Sequence, residues 1–135
     1  DAKTGQINLY PTPTKRSRPR RAMMDAQGRV WFAEFAANKV AMFDVKREEI
    51  TEWDVPTPYT YPYDVTLDKN GELWGGSMSS DRILRMDPKT GRAIEYLLPR
   101  PTNVRRVFVD NSTQPVTFWV GSNHGASVVK VVPIE

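Results

Sequence analysis

A single histidine, His124, is the clearest candidate for acid-base chemistry in this sequence. An imidazole has an unperturbed pKa of about 6.5, so it can serve as a general base or a metal ligand near neutral pH. His124 lies in the segment Gly121-Ser-Asn-His-Gly125, which is also ordinary composition for a solvent-exposed turn. Two interpretations therefore stay open, a catalytic or ligating group and a loop residue.

Three polar residues share another position, three residues after a tryptophan in each case: Glu34, Ser77 and Ser122. Glu34 also has two interpretations. It could face a channel as an acid or metal ligand, or it could pair with Lys39 across a hairpin. Ser77 and Ser122 are candidate ligand-binding residues because they occupy the same place in the pattern.

Basic residues form a third set of candidates. Three dipeptides stand at matching points of the sequence: Arg20-Arg21, Tyr63-Asp64 and Arg105-Arg106. Paired guanidinium groups bind carboxylate or phosphate well, so these residues predict a site for an anionic ligand. The alternative is that the arginines are solvated linker residues, since the net charge is only +3. A nucleic-acid partner is not expected, because the basic run lacks interleaved aromatic residues and Asp64 interrupts it.

A repeat must position these groups. The segment Asp25-Ala-Gln-Gly28-Arg-Val-Trp31 returns 43 residues later as Asp68-Lys-Asn-Gly71-Glu-Leu-Trp74, and again, more loosely, before Trp119. A repeat of this length with a glycine turn and a tryptophan strand is typical of a propeller blade with four short antiparallel strands. The predicted fold is therefore an all-β propeller, with the three tryptophans in its core.

The repeat also predicts the domain organisation. Residues 15–57 and 58–100 are two blades, 101–135 an incomplete last blade, and 1–14 the outer strand of a preceding or last blade. Propellers close with about four to eight blades, whereas this sequence holds about three. We therefore expect either further blades from a longer polypeptide or several copies that close the ring together. In either case, the starts of the innermost strands and the turn at His124 should lie near the channel.

Composition excludes several other classes. The sequence has no cysteine, so disulfides, thiolate metal sites and cysteine nucleophiles are excluded. No apolar run approaches the ~18 residues of a membrane-spanning helix. No phosphate-binding glycine loop, nucleophile elbow or zinc-protease motif is found.

The repeat resembles that of a known family. It contains three motifs in order: Gly-X-Val/Leu-Trp-Phe-X-Glu, which ends at Glu34, then Asn-Lys-Val-X-X-Phe-Asp, which includes Lys39 and Val40, and then Ile-Thr-Glu-X-X-Val-Pro-Thr-Pro. This pattern is similar to the repeat of the virginiamycin B lyase (streptogramin lyase) propellers over essentially the whole chain. The segment from Arg105 to Val120 resembles the closing part of exported bacterial relatives.

The resemblance implies an exported protein, periplasmic or secreted, that opens a small or peptidic ligand by elimination. It also implies a divalent cation such as Mg²⁺, with His124 and Glu34 as catalytic candidates. In the family a glutamate and a histidine two residues apart in one blade do this work, whereas here they lie in different blades. The alternative function is a non-catalytic propeller that binds a ligand or a protein through its arginine-rich rim.

Overall fold

A computed structural model of the chain describes residues 2–134, which form eleven antiparallel strands in three sheets. The first sheet contains β1 (Pro19–Met24), β2 (Arg29–Glu34), β3 (Lys39–Asp44) and β4 (Glu49–Asp54). The second contains β5 (Pro62–Leu67), β6 (Leu73–Ser77), β7 (Arg82–Met86) and β8 (Ala93–Leu97). The third contains β9 (Val104–Asp110), β10 (Thr117–Ser122) and β11 (Ser127–Val131).

Each sheet is one blade, and the strands within it follow chain order from first to last. The predicted all-β propeller architecture is therefore confirmed. The part of the chain that the structure describes contains no helix. It follows that no helix in these residues could cross a membrane.

An aspartate fixes the turn that begins each repeat. Asp25 accepts hydrogen bonds from the backbone N–H of Arg29 and from the indole N–H of Trp31, at 2.9 and 2.8 Å. Gly28 adopts a φ of 78°, a left-handed conformation that glycine tolerates because it has no Cβ. The aspartate and the glycine that recur in the repeat therefore shape this turn, and the aspartate orients the tryptophan.

Two apolar layers hold the blades together. Trp31 faces the second blade, where it packs in a buried cluster with Val65 and Leu73. Trp74 faces the third blade in a cluster with Phe118 and Val120. These two tryptophans are 2% and 0% exposed, which confirms their predicted place in the core.

Trp119 differs from its two counterparts, because it is only partly buried. The repeat places Trp119 on the face of the third blade that corresponds to the faces bearing Trp31 and Trp74. In the first two blades, the next blade covers that face. Residues 2–134 hold no further blade against this face, where the neighbouring Phe108 and Val128 are 64% and 72% exposed. The three blades alone leave Trp119 half-buried, and its place in the core stays a prediction for a propeller with a further blade.

The N-terminal segment forms no strand between residues 2 and 14; Asp1 lies outside the described residues. Tyr10 instead packs on Phe43, with ring centres 4.6 Å apart, and its hydroxyl donates a hydrogen bond to Glu48 at 2.7 Å. A strand needs a ladder partner, and this segment pairs with no sheet edge in the three blades. The predicted outer strand within residues 1–14 therefore stays a prediction for another sheet.

The contact between the second and third blades requires glycine at position 76. A Cβ there would overlap the Val104 side chain and lie 2.9 Å from Val107 Cγ1. We expect Gly76→Ala to lower the free energy of unfolding by about 1–3 kcal/mol, because the tightly packed blades must move apart.

Gly75 provides a matched control for this prediction. A Cβ at Gly75 would meet its nearest neighbours at 3.5 Å, which is ordinary van der Waals contact. Gly75→Ala should change the unfolding free energy by less than about 1 kcal/mol. Chemical denaturation of both variants checks the prediction, and equal effects would show that close packing at Gly76 is not the cause.

Candidate functional site

One end of the blades collects most of the predicted site residues, and we call it the mouth. It comprises the starts of β1, β5 and β9 and the turns after β2, β6 and β10, at residues 35–38, 78–81 and 123–126. The ladders require this arrangement, because Pro19 pairs with Glu34 and Pro62 with Ser77. Strands β1 and β2 contact β5, and β5 and β6 contact β9. The mouth is therefore continuous across the three blades.

Arginine and aromatic side chains meet at the mouth between the first and second blades. The guanidinium carbon of Arg20 lies 5.0 Å from the ring centre of Phe35 and 5.7 Å from that of Tyr63. That of Arg21 lies 5.9 Å from the same Tyr63 ring. Phe35 also packs against Tyr61, with ring centres 4.9 Å apart. We call these five residues the mouth cluster.

The charges of Arg20 and Arg21 are not neutralised locally. Both side chains are exposed, and neither forms an ion pair with any carboxylate in residues 2–134. Contacts with ring faces leave guanidinium N–H groups free to donate to a ligand. The structure thus brings together Arg20, Arg21 and Tyr63 as a surface that can receive an anion.

The remaining residues of the predicted arginine-rich rim have other roles. Asp64 is buried and accepts the backbone N–H of Val65 at 3.2 Å and that of Val107 at 3.0 Å. Arg106 approaches the same carboxylate at 4.0 Å, and Arg105 donates to Asn103 at 2.7 Å. Asp64 therefore joins the second blade to the third. Its predicted contact with a ligand does not fit this buried position.

The predicted serines are engaged within turns. Ser77 is buried, and its hydroxyl donates to the Thr60 carbonyl at 2.9 Å and accepts the Ser80 N–H at 2.8 Å. Ser122 is also buried and accepts the Gly125 N–H at 3.0 Å. Short polar side chains commonly stabilise turns in this way. Neither hydroxyl is presented at the surface, where a ligand would contact it.

Glu34 is fully buried at the mouth, and neither of its carboxyl oxygens has a hydrogen-bond partner within the described residues. It lies opposite Lys39 in the ladder of β2 and β3. The Lys39 ammonium, however, reaches Asp54 at 3.1 Å and Glu52 at 3.5 Å. The predicted ion pair between Glu34 and Lys39 is therefore wrong, because two other carboxylates are better placed for the lysine.

The environment of Glu34 favours its protonated form. Burial, followed by repulsion from the nearby Glu52 carboxylate, raises the pKa of Glu34 from 4.5 to about 7. The nearby Ser17 hydroxyl and the positive charge of Lys39 favour the ionised form of Glu34, and they reduce this rise of its pKa without cancelling it. A carboxyl group with this pKa can exchange a proton near neutral pH, but its burial keeps it from solvent in this structure.

His124 lies in the exposed turn after β10, at the mouth of the third blade. Glu34 belongs to the first blade, so the second blade stands between the two catalytic candidates. The structure therefore does not bring them together as a pair. Within residues 2–134, no three His, Cys, Asp or Glu side chains are grouped so that they could hold a metal ion.

Phe35 and Tyr61 are mouth residues that the sequence reasoning did not identify. Tyr61 lies in the tyrosine-rich run Pro58-Tyr-Thr-Tyr-Pro-Tyr63, only two residues before the predicted mouth residue Tyr63. This pattern could have placed Tyr61 beside Tyr63. Phe35 directly follows the end of β2, and nothing in the sequence distinguishes it from a core residue.

Comparison with known proteins agrees with this fold. The profile of the virginiamycin B lyase family matches residues 2–133. No curated protein matched the chain. Among solved structures, virginiamycin B lyase from Staphylococcus aureus is 27% identical with a TM-score of 0.78, and the match covers 93% of this chain and 45% of that one.

Two further structures are similar over the same arc. A streptogramin B lyase is 25% identical with a TM-score of 0.85, over 96% of this chain and 42% of that chain. A catalytically inactive histidine-to-alanine variant of the S. aureus enzyme, with quinupristin, is 26% identical with a TM-score of 0.78, over 94% and 45% of the two chains. This chain thus spans less than half the length of these lyases. On its sequence and its three blades, the chain belongs to the virginiamycin B lyase family.

Proposed function

We propose that these blades form part of a virginiamycin B lyase-like propeller that binds a small or peptidic ligand at the mouth and opens it by carbon–oxygen elimination. The observation that carries the proposal is the mouth cluster, in which two exposed arginines without local neutralisation lie against half-buried aromatic rings. Support also comes from the similar arc in the S. aureus structure with quinupristin.

His124 is the proposed general base in these blades. It is an exposed imidazole in a mouth turn, where a ligand lying across the channel would come within its reach. A base of this kind removes a proton from the carbon next to a carbonyl group. Glu34 is a second proton-exchanging group of the mouth, and ligand binding would have to rearrange its surroundings before it could take part.

The divalent cation that the resemblance implies, such as Mg²⁺, does not fit the described residues alone. Such ions take several oxygen ligands. The one carboxylate of the mouth without a partner, that of Glu34, is completely enclosed. A cation site would therefore need ligands from further blades, supplied by the same longer chain or by other copies. We also propose an exported location, periplasmic or secreted, which fractionation of the source cells would test.

The reaction can be tested with the full-length protein and quinupristin. Elimination opens the ring without changing the mass and creates a carbon–carbon double bond, whereas hydrolysis adds one water. Mass spectrometry together with ultraviolet absorbance therefore identifies the reaction. A product with the added mass of water, or no ring opening at all, would contradict the proposed elimination.

His124→Ala should lower kcat by roughly 100-fold, since a positioned acid or base typically contributes this much or more. Asn123→Ala is the matched control, because it changes an exposed residue of the same turn and leaves the imidazole in place. Equal losses in the two variants would assign the effect to the shape of the turn. Ligand binding without any turnover in the parent would favour the non-catalytic alternative.

A further inference from the structure

We propose that Arg20 and Arg21 form a carboxylate-binding site. In the reaction, this site would hold the carboxylate that elimination of an ester releases. The inference rests on the proposed function for the reaction, but the binding site itself can be tested without turnover.

Arg20 and Arg21 carry charges without a nearby carboxylate among the described residues, unlike several other arginines of the blades. Four of them have an acidic partner within 4.0 Å: Arg29 with Asp25, Arg47 with Asp44, Arg85 with Glu72 and Arg106 with Asp64. Arg20 and Arg21 form no such pair with any residue of the described range. Other arginines, such as Arg82 and Arg105, also lack an acidic partner there, but among the unpaired arginines of residues 2–134 only Arg20 and Arg21 lie over aromatic rings. A bound anion would therefore supply the negative charge that both guanidinium groups lack nearby.

Aromatic rings orient the two guanidinium groups. Arg20 is held over Phe35 and Tyr63, and Arg21 over Tyr63, at 5.0 to 5.9 Å from the ring centres. A guanidinium fixed against a ring loses less side-chain entropy when it binds a planar carboxylate. Its N–H fork matches the two carboxylate oxygens, which favours a carboxylate as the ligand group.

The leaving group of the proposed elimination is itself a carboxylate. When a base removes the proton next to a carbonyl, the electron pair of that C–H bond forms a carbon–carbon double bond. The bond from the neighbouring carbon to the ester oxygen breaks, and its electron pair leaves on that oxygen. The ester thus departs as a carboxylate, so negative charge develops there in the transition state. Cationic N–H donors at that point lower the barrier.

Binding can be measured with two probes of nearly equal shape, phenylacetate and the neutral phenylacetamide, by NMR titration of the full-length protein. We expect the parent protein to bind phenylacetate at least tenfold more tightly. The double variant Arg20→Gln/Arg21→Gln should bind both probes alike. Arg47→Gln is the control, because it removes a positive charge at the outer turn, where Arg47 is paired with Asp44; it should keep the preference of the parent for phenylacetate.

The outcomes separate the site from the reaction. A parent without a preference for phenylacetate, or a double variant that keeps it, would overturn the site. If quinupristin is opened, the double variant should lower kcat about 10-fold or more while KM changes little, because the charge develops only in the transition state. An unchanged kcat would overturn the leaving-group role. A charge preference in the parent without ring opening would leave the carboxylate site standing and contradict the elimination.

Discussion

Trp74→Ala is expected to lower the free energy of unfolding by about 3–5 kcal/mol. Trp74 is completely buried between the second and third blades, where it stacks on Phe118 and Tyr96 at 5.1 and 6.0 Å. Its indole N–H also donates to Asp68 at 2.9 Å. Alanine would leave a cavity between two blades and an aspartate oxygen without its donor. Chemical denaturation followed by circular dichroism gives the change directly.

Trp119→Ala is the matched control, because it removes the same residue from the same repeat position. Trp119 is only partly buried, with Lys130 placed 5.3 Å above its ring. Its removal from the 135-residue chain should cost at most half as much, since less apolar surface returns to water. Equal costs for the two tryptophans in this chain would contradict the exposed face of the third blade. A larger cost for Trp119 in a longer form of the protein would show that another blade covers it.

The stability of the protein should fall as pH rises from about 4.5 to about 7, and Glu34 should cause this fall. Its pKa is 4.5 in the unfolded chain and about 7 in the folded protein, so the folded state holds the proton more tightly. The stabilisation that protonated Glu34 contributes is therefore fully present below pH 4.5, and it is lost as the pH rises through the folded-state pKa of about 7. Since one pKa unit corresponds to about 1.4 kcal/mol, the full change is on the order of 3 kcal/mol.

Glu34→Gln should remove most of this dependence, because an amide does not ionise. The variant should match the parent near pH 4.5 and be the more stable of the two at pH 8. Glu52→Gln is the comparison variant: Glu52 is the second cause of the shift, after burial, so its removal should leave most of the dependence in place. Urea denaturation across this pH range checks both variants, and an unchanged slope in Glu34→Gln would rule out Glu34 as the titrating group.

The blade architecture could be predicted because its signals are local. Asp25, Gly28 and Trp31 recur with a spacing of 43 residues as Asp68, Gly71 and Trp74. In both copies the aspartate oxygen binds the tryptophan N–H, at 2.8 and 2.9 Å. A turn with a left-handed glycine and strands that alternate every two residues depend on near neighbours in the chain. Such features are visible in a single sequence.

The environments of the polar residues depended on contacts between distant segments. Glu34 and Ser77 share a repeat position, yet the first is an enclosed carboxyl without a partner and the second completes a turn. Asp64 was expected to face a ligand and instead binds the backbone of Val107, which is 43 residues away.

By itself, then, the sequence determined the repeat, the all-β class and most of the polar residues near the mouth, because these follow from spacing along the chain. The tertiary structure alone decided which of these residues remain available. It paired Arg106 with Asp64 and left Arg20 and Arg21 unpaired beside aromatic rings. The physical reason is that burial and charge neutralisation depend on the neighbouring blade, whose contacts arise only when the sheets pack together.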